Sequence, residues 1–138
     1  MNGEEAKKAK RVEPSAEIDQ LATKVIGAVI EVHKLLGPGY LEAVYEEAMC
    51  IEMAERGIPF RRQVSISVDY KGHRVGEGRI DLFVGEKLIV ELKAVEALQP
   101  IHDAQALSYL KATRCPLALL INFNTPVLRD GIKRKILS

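Results

Sequence analysis

The sequence of 138 residues predicts an α/β domain of the α+β kind, with a mixed central sheet flanked by helices in the order ααβββαββ. Three observations lead to this prediction. Apolar residues recur at helical spacing in the N-terminal part, they alternate with polar residues in the middle, and they form a solid run after a further helical segment. Alternation is typical of an antiparallel strand with one wet face, whereas a solid apolar run is typical of a strand covered on both faces.

The composition is that of one globular domain, which we expect to fold alone or as a small oligomer such as a homodimer. Hydrophobic residues make up 47% and charged residues 28% of the chain, a balance that excludes disordered and fibrous classes. The formal net charge of +1 carries no signal for a polyanionic partner, so a nucleic-acid surface would have to be local. Two basic clusters could form such a surface, or could simply be solvated strand faces. They comprise Arg61, Arg62, Lys71, His73, Arg74 and Arg79 in one stretch, and Arg129, Lys133, Arg134 and Lys135 near the C-terminus.

Cysteine usage and the N-terminal residues indicate a cytoplasmic protein. Cys50 and Cys115 are far apart and outside metal-ligand spacing, so we expect small apolar core residues in a reducing compartment. No stretch reaches the roughly 18 apolar residues of a membrane span, so no membrane partner is expected. Residues 1–14 are charged and lack periodicity, which predicts a flexible N-terminal tail before a single domain at residues 15–138.

Two helices are predicted to open the domain. Apolar residues recur at helical spacing between Ser15, a suitable N-cap, and Gly37, a suitable terminator. Pro38 suits the first turn of a second helix, which would run to about Arg56 and end at Gly57.

Three strands are predicted to follow as an antiparallel meander. They cover residues 64–68, 75–84 and 87–94, where apolar and polar residues alternate or form short apolar runs. Residues 70–73 supply the first turn, and Gly85-Glu86 supplies a tight second connection.

A helix and two strands are predicted to complete the domain. Pro100 opens a helix with apolar residues up to Leu110, and residues 117–121 form the solid apolar run of a covered strand. Residues 132–137 are predicted to form a short last strand. The chain shows no internal repeat.

Three charged residues interrupt the apolar strands and are the main candidates for chemistry. Asp81, Glu91 and Lys93 stand among leucine, isoleucine and valine, where a charge is costly unless it is paired or bound to a metal. Glu91 and Lys93 are two residues apart and therefore share one face of their strand. A surface Glu-Lys pair on a wet face is the alternative, since a lone E-x-K motif is weak.

The length of the second connection decides whether the two carboxylates meet. A strict two-residue turn after Val84 would put Asp81 and Glu91 on opposite faces of the sheet. A three-residue loop, residues 85–87, would set Asp81 opposite Glu91. We predict the second register, because a shared metal requires both carboxylates on one face beside Lys93.

Several separate motifs resemble those of the PD-(D/E)XK nuclease superfamily and, within it, the small bacterial and archaeal GxxExxY proteins. The resemblance runs from about Val25 to the C-terminus, and several motifs in the right order are more specific than any one. The motif aspartate follows isoleucine where the superfamily name has proline, a common departure. The motifs are Gly39, Glu42 and Tyr45 in the namesake pattern, Asp81 with Glu91-Leu92-Lys93 in the core signature, Gln105 and Tyr109 in the QxxxY element of RecB-like exonucleases, and residues 119–123 in the last buried strand.

The resemblance implies a restriction-endonuclease-like core and a nuclease that hydrolyses phosphodiester bonds of nucleic acid, DNA more than RNA. It implies that Asp81, Glu91 and the backbone carbonyl of Leu92 hold Mg²⁺ or Mn²⁺, hard cations that stabilise charge on phosphoryl oxygens. Lys93 would orient the attacking water or neutralise developing charge. The alternative function is a catalytically silent nuclease-fold module that binds nucleic acid or serves as an accessory.

The remaining motif residues have both functional and structural interpretations. The resemblance makes Glu42 a further metal or water ligand within reach of the carboxylate pair, although compensation of the helix dipole is the alternative. Gln105 is a catalytic candidate, and with Tyr109 one turn later it could bind substrate phosphate or simply form a self-satisfied polar stripe. Tyr45 and Arg79 are further candidates for substrate binding, with ring packing as the default interpretation of Tyr45.

Overall fold

The structure is a computed structural model that describes residues 14–137, so residues 1–13 of the predicted tail lie outside the described part. The predicted order ααβββαββ is confirmed, with one short 3₁₀ turn before the last strand. The elements are α1 (Ala16–Leu36), α2 (Glu42–Glu55), β1 (Phe60–Tyr70), β2 (His73–Val84), β3 (Leu88–Lys93), α3 (Pro100–Thr113), β4 (Leu117–Asn122), the 3₁₀ turn (Leu128–Gly131) and β5 (Ile132–Lys135).

Helix α1 has the predicted caps. The Ser15 hydroxyl accepts a hydrogen bond from Ile18 N at 3.2 Å, which satisfies one free donor of the first turn. Gly37 ends the helix with a φ of 70°, and its N–H donates to His33 O at 2.7 Å. A left-handed residue at this place is easiest for glycine, which explains why the helix stops there.

Helix α2 starts later than the sequence predicts. It begins at Glu42 after Leu41, so Pro38 lies in the connection and not in the first helical turn. Gly39 has a φ of 112°, a conformation that no helix accommodates, so the helix cannot begin before it. The helix ends before Gly57, as predicted.

The five strands form one sheet in the order β1-β2-β3-β4-β5, antiparallel except for the parallel pair β3 and β4. Helix α3 makes the crossover between those two parallel strands. Helices α1 and α2 contribute to the core on one face of the sheet, and α3 contributes to the core on the other. All six residues of β4 are buried, which confirms the predicted strand with two covered faces.

The connection between β2 and β3 has the predicted three-residue register. Val84 pairs with Leu88 across residues 85–87. Lys87 N donates to Val84 O at 3.1 Å, and the first two loop residues have φ values of 59° and 58°. A tight turn of two residues is therefore followed by one additional residue, Lys87, and this residue sets the pairing of the two strands.

The even-numbered side chains of β1 and β2 change from one face of the sheet to the other part-way along the hairpin. In a regular strand, even-numbered residues stay on one face. Here the even-numbered apolar residues change cores at the level of Gln63 and Asp81, where Gln63 has a φ of 50°. Those in the core beneath α1 and α2 are Phe60, Leu82 and Val84, and those in the core beneath α3 are Val64, Ile66 and Ile80.

Both cysteines are free, as predicted. Cys115 is buried in the core beneath α3, and Cys50 packs partly buried against the other core. Among residues 14–137, no helix combines the length and the apolar character needed to cross a membrane.

Candidate active site

Asp81 and Glu91 form the centre of the candidate site, on the neighbouring strands β2 and β3. The backbone ladder reaches the pair Leu82 and Val90, and one position further the same register sets Asp81 level with Glu91. At the level of Asp81 and Glu91, their carboxylates take the place of backbone carbonyls as hydrogen-bond acceptors. Asp81 N donates to Glu91 Oε2 at 2.8 Å, and Leu92 N donates to Asp81 Oδ2 at 2.8 Å. These reciprocal bonds hold the two carboxyl groups side by side.

Both carboxyl groups are withdrawn from water. Glu91 is 3% exposed and Asp81 is partly buried. Burial raises the pKa of Glu91, and the neighbouring Asp81 carboxylate raises it further, to about 8. Burial also raises the pKa of Asp81, against the opposing effects of the Leu92 N–H bond and the Lys93 charge. Two adjacent acids that resist ionisation are stabilised by a bound proton or a bound cation.

Lys93 and Glu42 border this pair from the end of β3 and the start of α2. Burial raises the pKa of Glu42, while the charge of Lys93 lowers it and the charge of Asp81 raises it. The Lys93 ammonium also lowers the pKa of both central acids. Glu42 is therefore close enough to Asp81 and Lys93 to interact with both through charge.

The chemistry of the donors fits a hard divalent cation, because Mg²⁺ prefers carboxylate and carbonyl oxygens. Within residues 14–137, however, no three His, Cys, Asp or Glu side chains are grouped as a metal site. Glu42 is a neighbour of the Asp81–Glu91 pair that interacts with the charge of Asp81, and its role as a further ligand stays a prediction. Two carboxylates remain adequate, because Mg²⁺ typically keeps several waters and takes only one or two protein carboxylates.

Gln63 and Glu46 adjoin the site, and the sequence analysis missed both. Gln63 Nε2 donates to Glu46 Oε1 at 2.6 Å and more weakly to Asp81 Oδ1 at 3.5 Å. Arg62 Nη2 donates to the other oxygen of Glu46 at 2.7 Å. Glu46 lies one helical turn after Glu42, and that spacing was its only signal in the sequence.

Asn122 has a role that the sequence analysis did not assign. It ends β4, pairs with Lys93 across the parallel strands and is 1% exposed. Its side chain accepts from Val95 N at 3.0 Å and donates to Val95 O at 2.9 Å. The chain just beyond Lys93 is therefore fixed to the neighbouring strand by a fully buried amide.

Gln105 and Tyr109 lie one turn apart on α3 in different environments. Gln105 is exposed, whereas the Tyr109 hydroxyl accepts a hydrogen bond from Arg79 N at 3.3 Å. The Tyr109 ring lies against Gly78. Tyr109 thus connects α3 to β2 two residues before Asp81, and the side chain of Arg79 is exposed.

Tyr45 does not fit the predicted contact with substrate. It is fully buried, its hydroxyl donates to Gly37 O at 2.6 Å, and the hydroxyl also accepts from Tyr40 N at 3.2 Å. Its ring stacks on Phe123 with centroids 4.5 Å apart. Tyr45 therefore fixes the connection between α1 and α2 just before Glu42, and packing outweighs the surface role suggested by the motif.

Many members of the two basic clusters form ion pairs, so neither cluster is an unopposed basic surface. These pairs are mostly exposed and screened by water, so each contributes little to stability and a phosphate could replace a carboxylate at little cost. The pairs are Arg61 with Glu86, Arg62 with Glu46 and Glu47, Arg74 with Glu77, Lys133 and Lys135 with Asp103, and Arg134 with Asp19.

Gly78 is expected not to tolerate a side chain. A Cβ atom there would lie 2.6 Å from Tyr109 Cε1 and 3.2 Å from Ile66 Cγ1, so the ring or the strand would have to move. We expect Gly78→Ala to lower the free energy of unfolding by about 1–3 kcal/mol, as measured by urea denaturation. Gly76→Ala on the same strand is the control, because its Cβ would meet nothing within 4 Å. Equal losses in both variants would contradict the predicted contact.

Comparison with known proteins agrees with this arrangement. The model of the PD-(D/E)XK nuclease superfamily matches residues 19–135, which include α1 from Asp19 onward, the other two helices, all five strands and the group Asp81, Glu91 and Lys93. Searches of curated proteins and of solved structures give no match. Because the family model covers most of the chain, and the mixed sheet with its flanking helices is consistent with that nuclease core, the chain belongs to the PD-(D/E)XK nuclease superfamily.

Proposed function

We propose that the protein is a divalent-metal-dependent nuclease that hydrolyses phosphodiester bonds in DNA, and that it is one of the GxxExxY proteins. Membership of the superfamily supports nuclease activity in general. The observation that carries the proposal for this site is the Asp81–Glu91 pair, one buried and one partly buried acid joined through 2.8 Å bonds beside Lys93. A stable core gains nothing from two such acids, whereas a cation site requires them.

In this proposal, Asp81, Glu91 and the carbonyl of Leu92 hold Mg²⁺ or Mn²⁺. The ion would supply Lewis-acid stabilisation of negative charge on the phosphoryl oxygens. Because the pKa of Glu91 is raised to about 8, the metal-free pair retains a proton near neutral pH. Asp81 and Glu91 must release that proton before both carboxylates can act as ligands.

Lys93 and Glu42 have complementary roles in this proposal. The Lys93 ammonium offers three donors close to the carboxylate pair, which suits it to orient a water or to neutralise charge that develops on phosphate. Glu42 has a raised pKa and interacts with the charge of Lys93. It is therefore placed to accept a proton from a water held beside that ammonium.

Substrate contacts are proposed for the exposed side chains of Gln105 and Arg79, which lie near Tyr109 on α3 and β2. Tyr109 itself holds β2 in place for them. DNA in preference to RNA, a homodimer and a cytoplasmic location remain predictions from the sequence.

A catalytically silent binding module is the second candidate function. The observation that favours it is the pKa of Glu91, raised to about 8, because a carboxyl pair that keeps a proton is stable near neutral pH without a cation. Such a module would keep the fold and bind nucleic acid without hydrolysing it.

Incubation with labelled nucleic acid should distinguish the two functions. With Mg²⁺ or Mn²⁺, we expect the protein to cleave single- or double-stranded DNA, and with EDTA we expect no cleavage. Mg²⁺ should also raise the melting temperature, because an ion that binds only the folded state stabilises it. Asp81→Asn is the control and should lose both effects. Binding without cleavage under every metal tested would favour the silent module.

A further inference from the structure

Gln63 has an unusual backbone conformation in the middle of β1. Its φ of 50° is in the left-handed region, which residues with a Cβ rarely adopt. The residues on both sides of it pair with β2 in one continuous register, so no residue is inserted and Gln63 is level with Asp81. Of the four non-glycine residues with positive φ in residues 14–137, Lys71 and Glu86 lie in turns and Arg114 ends α3. Gln63 is the one inside a strand.

The Gln63 amide bonds to two carboxylates. Nε2 donates to Glu46 Oε1 at 2.6 Å and is 3.5 Å from Asp81 Oδ1. The other oxygen of Asp81 accepts from Leu92 N at 2.8 Å. The Asp81 carboxylate is thus approached by a donor at each oxygen, one from β1 and one from β3.

The orientation of this amide is determined by its partners. Both neighbours of Gln63 Nε2 are carboxylates, which only accept hydrogen bonds when ionised, so the NH₂ end of the amide must face them. Glu46 is held in turn by Arg62 Nη2 at 2.7 Å. A chain of bonds therefore extends from the Arg62 guanidinium through Glu46 and Gln63 to Asp81.

We propose that Gln63 is a positioning residue for Asp81, and that its left-handed conformation serves to bring the amide to that carboxylate. Strained backbone persists where the surrounding structure compensates for it, and such positions cluster at functional sites. The contribution of Gln63 to catalysis rests on the proposed function. Its contribution to the geometry of Asp81 does not, so the two can be tested separately.

The test compares Gln63→Gly with Lys71→Gly. Both changes relieve a φ of 50°, but Lys71 lies in the β1–β2 turn, away from Asp81. In Gln63→Gly, relief of the strain should offset the lost hydrogen bonds, so the melting temperature should not fall. The dissociation constant for Mg²⁺, measured by calorimetry, should rise about 10-fold, as is typical when a partner that orients a metal ligand is lost. Lys71→Gly should leave the dissociation constant unchanged.

A readout without metal separates this proposal from the nuclease function. Leu92 N–H donates to Asp81, so its hydrogen exchange, followed by NMR, should be about 10-fold faster in Gln63→Gly and unchanged in Lys71→Gly. Gln63→Ala retains the Cβ strain and removes the amide, so it should show the same faster exchange with a lower melting temperature. Unchanged exchange at Leu92 in both Gln63 variants would overturn the positioning role. Faster exchange in a protein that binds no Mg²⁺ would support the positioning role and count against the metal-dependent function.

Discussion

In Lys93→Ala, the rate of DNA cleavage is expected to fall by about 10²–10³-fold, while Mg²⁺ binding largely survives. The Lys93 ammonium lies near Asp81, Glu91 and Glu42, where it can act on water or on developing charge, but a cation cannot ligate a metal. Loss of Lys93 removes positive charge next to the carboxylates and leaves their oxygens in place. Single-turnover kinetics would measure the rate and calorimetry the affinity, both near pH 9 so that the acids are ionised.

Two further variants test whether the separation of cleavage from metal binding is specific to Lys93. Asp81→Asn removes a formal charge from the carboxylate pair and should weaken metal binding and cleavage together. Lys87→Ala removes an exposed lysine that pairs with Glu17, and it should change neither quantity. Undiminished cleavage by carefully purified Lys93→Ala would place the active centre elsewhere or assign the activity to a contaminant.

The metal-free protein is expected to lose stability as the pH rises from about 5 to 8. The pKa of Glu91 is about 8 in the folded protein and near its ordinary value of 4.5 when unfolded, so between these values the folded state binds more protons. The free energy of unfolding then falls with increasing pH, by up to about 1.4 kcal/mol per pH unit, and levels off above pH 8. Urea denaturation in EDTA across this range would measure the slope.

Glu91→Gln should remove most of this slope, because glutamine keeps the shape and releases no proton. At pH 8 the variant should be more stable than the metal-free wild type, although it should bind Mg²⁺ poorly. Glu86→Gln is the control, since Glu86 is exposed and its pKa is lowered by a bond to Arg61. In the wild type, Mg²⁺ should bind more tightly as the pH rises, because it competes with the proton. A wild-type stability that does not change between pH 5 and 8 would contradict the assigned burial of Glu91.

Much of the fold could be predicted from the sequence because its signals are local. Ser15 and Gly37 mark the ends of α1 through residue type alone, and the solid apolar run of β4 indicates two covered faces. Asp81 and Glu91 could be proposed as a pair because charge within apolar strands needs a partner. The register that joins them could only be chosen by requiring a shared metal, since Gly85-Glu86 is compatible with either loop length.

The features that sequence analysis missed depend on contacts between distant parts of the chain. Ring packing is the default interpretation of Tyr45 from the sequence, but its stacking partner Phe123 lies far along the chain and cannot be named from residue type. Gln63 is an ordinary polar residue in an alternating strand, and its left-handed φ leaves no mark in residue type. Pro38 suggests a helix start that Gly39 prevents.

The three-residue loop between β2 and β3 has a consequence for insertions and deletions. Surface connections usually accept changes of length with little effect, because they run outside the core. Residues 85–87 follow this rule, because the carboxylate pair depends only on Val84 staying opposite Leu88. Deletion of Lys87 would leave Gly85-Glu86 as a two-residue turn, which still sets Val84 opposite Leu88 and Asp81 opposite Glu91. A slip of the undeleted chain to such a turn would instead pair Val84 with Lys87 and move Glu91 to the other face of the sheet. Related chains should therefore be able to lose the residue at position 87 and keep the two carboxylates together.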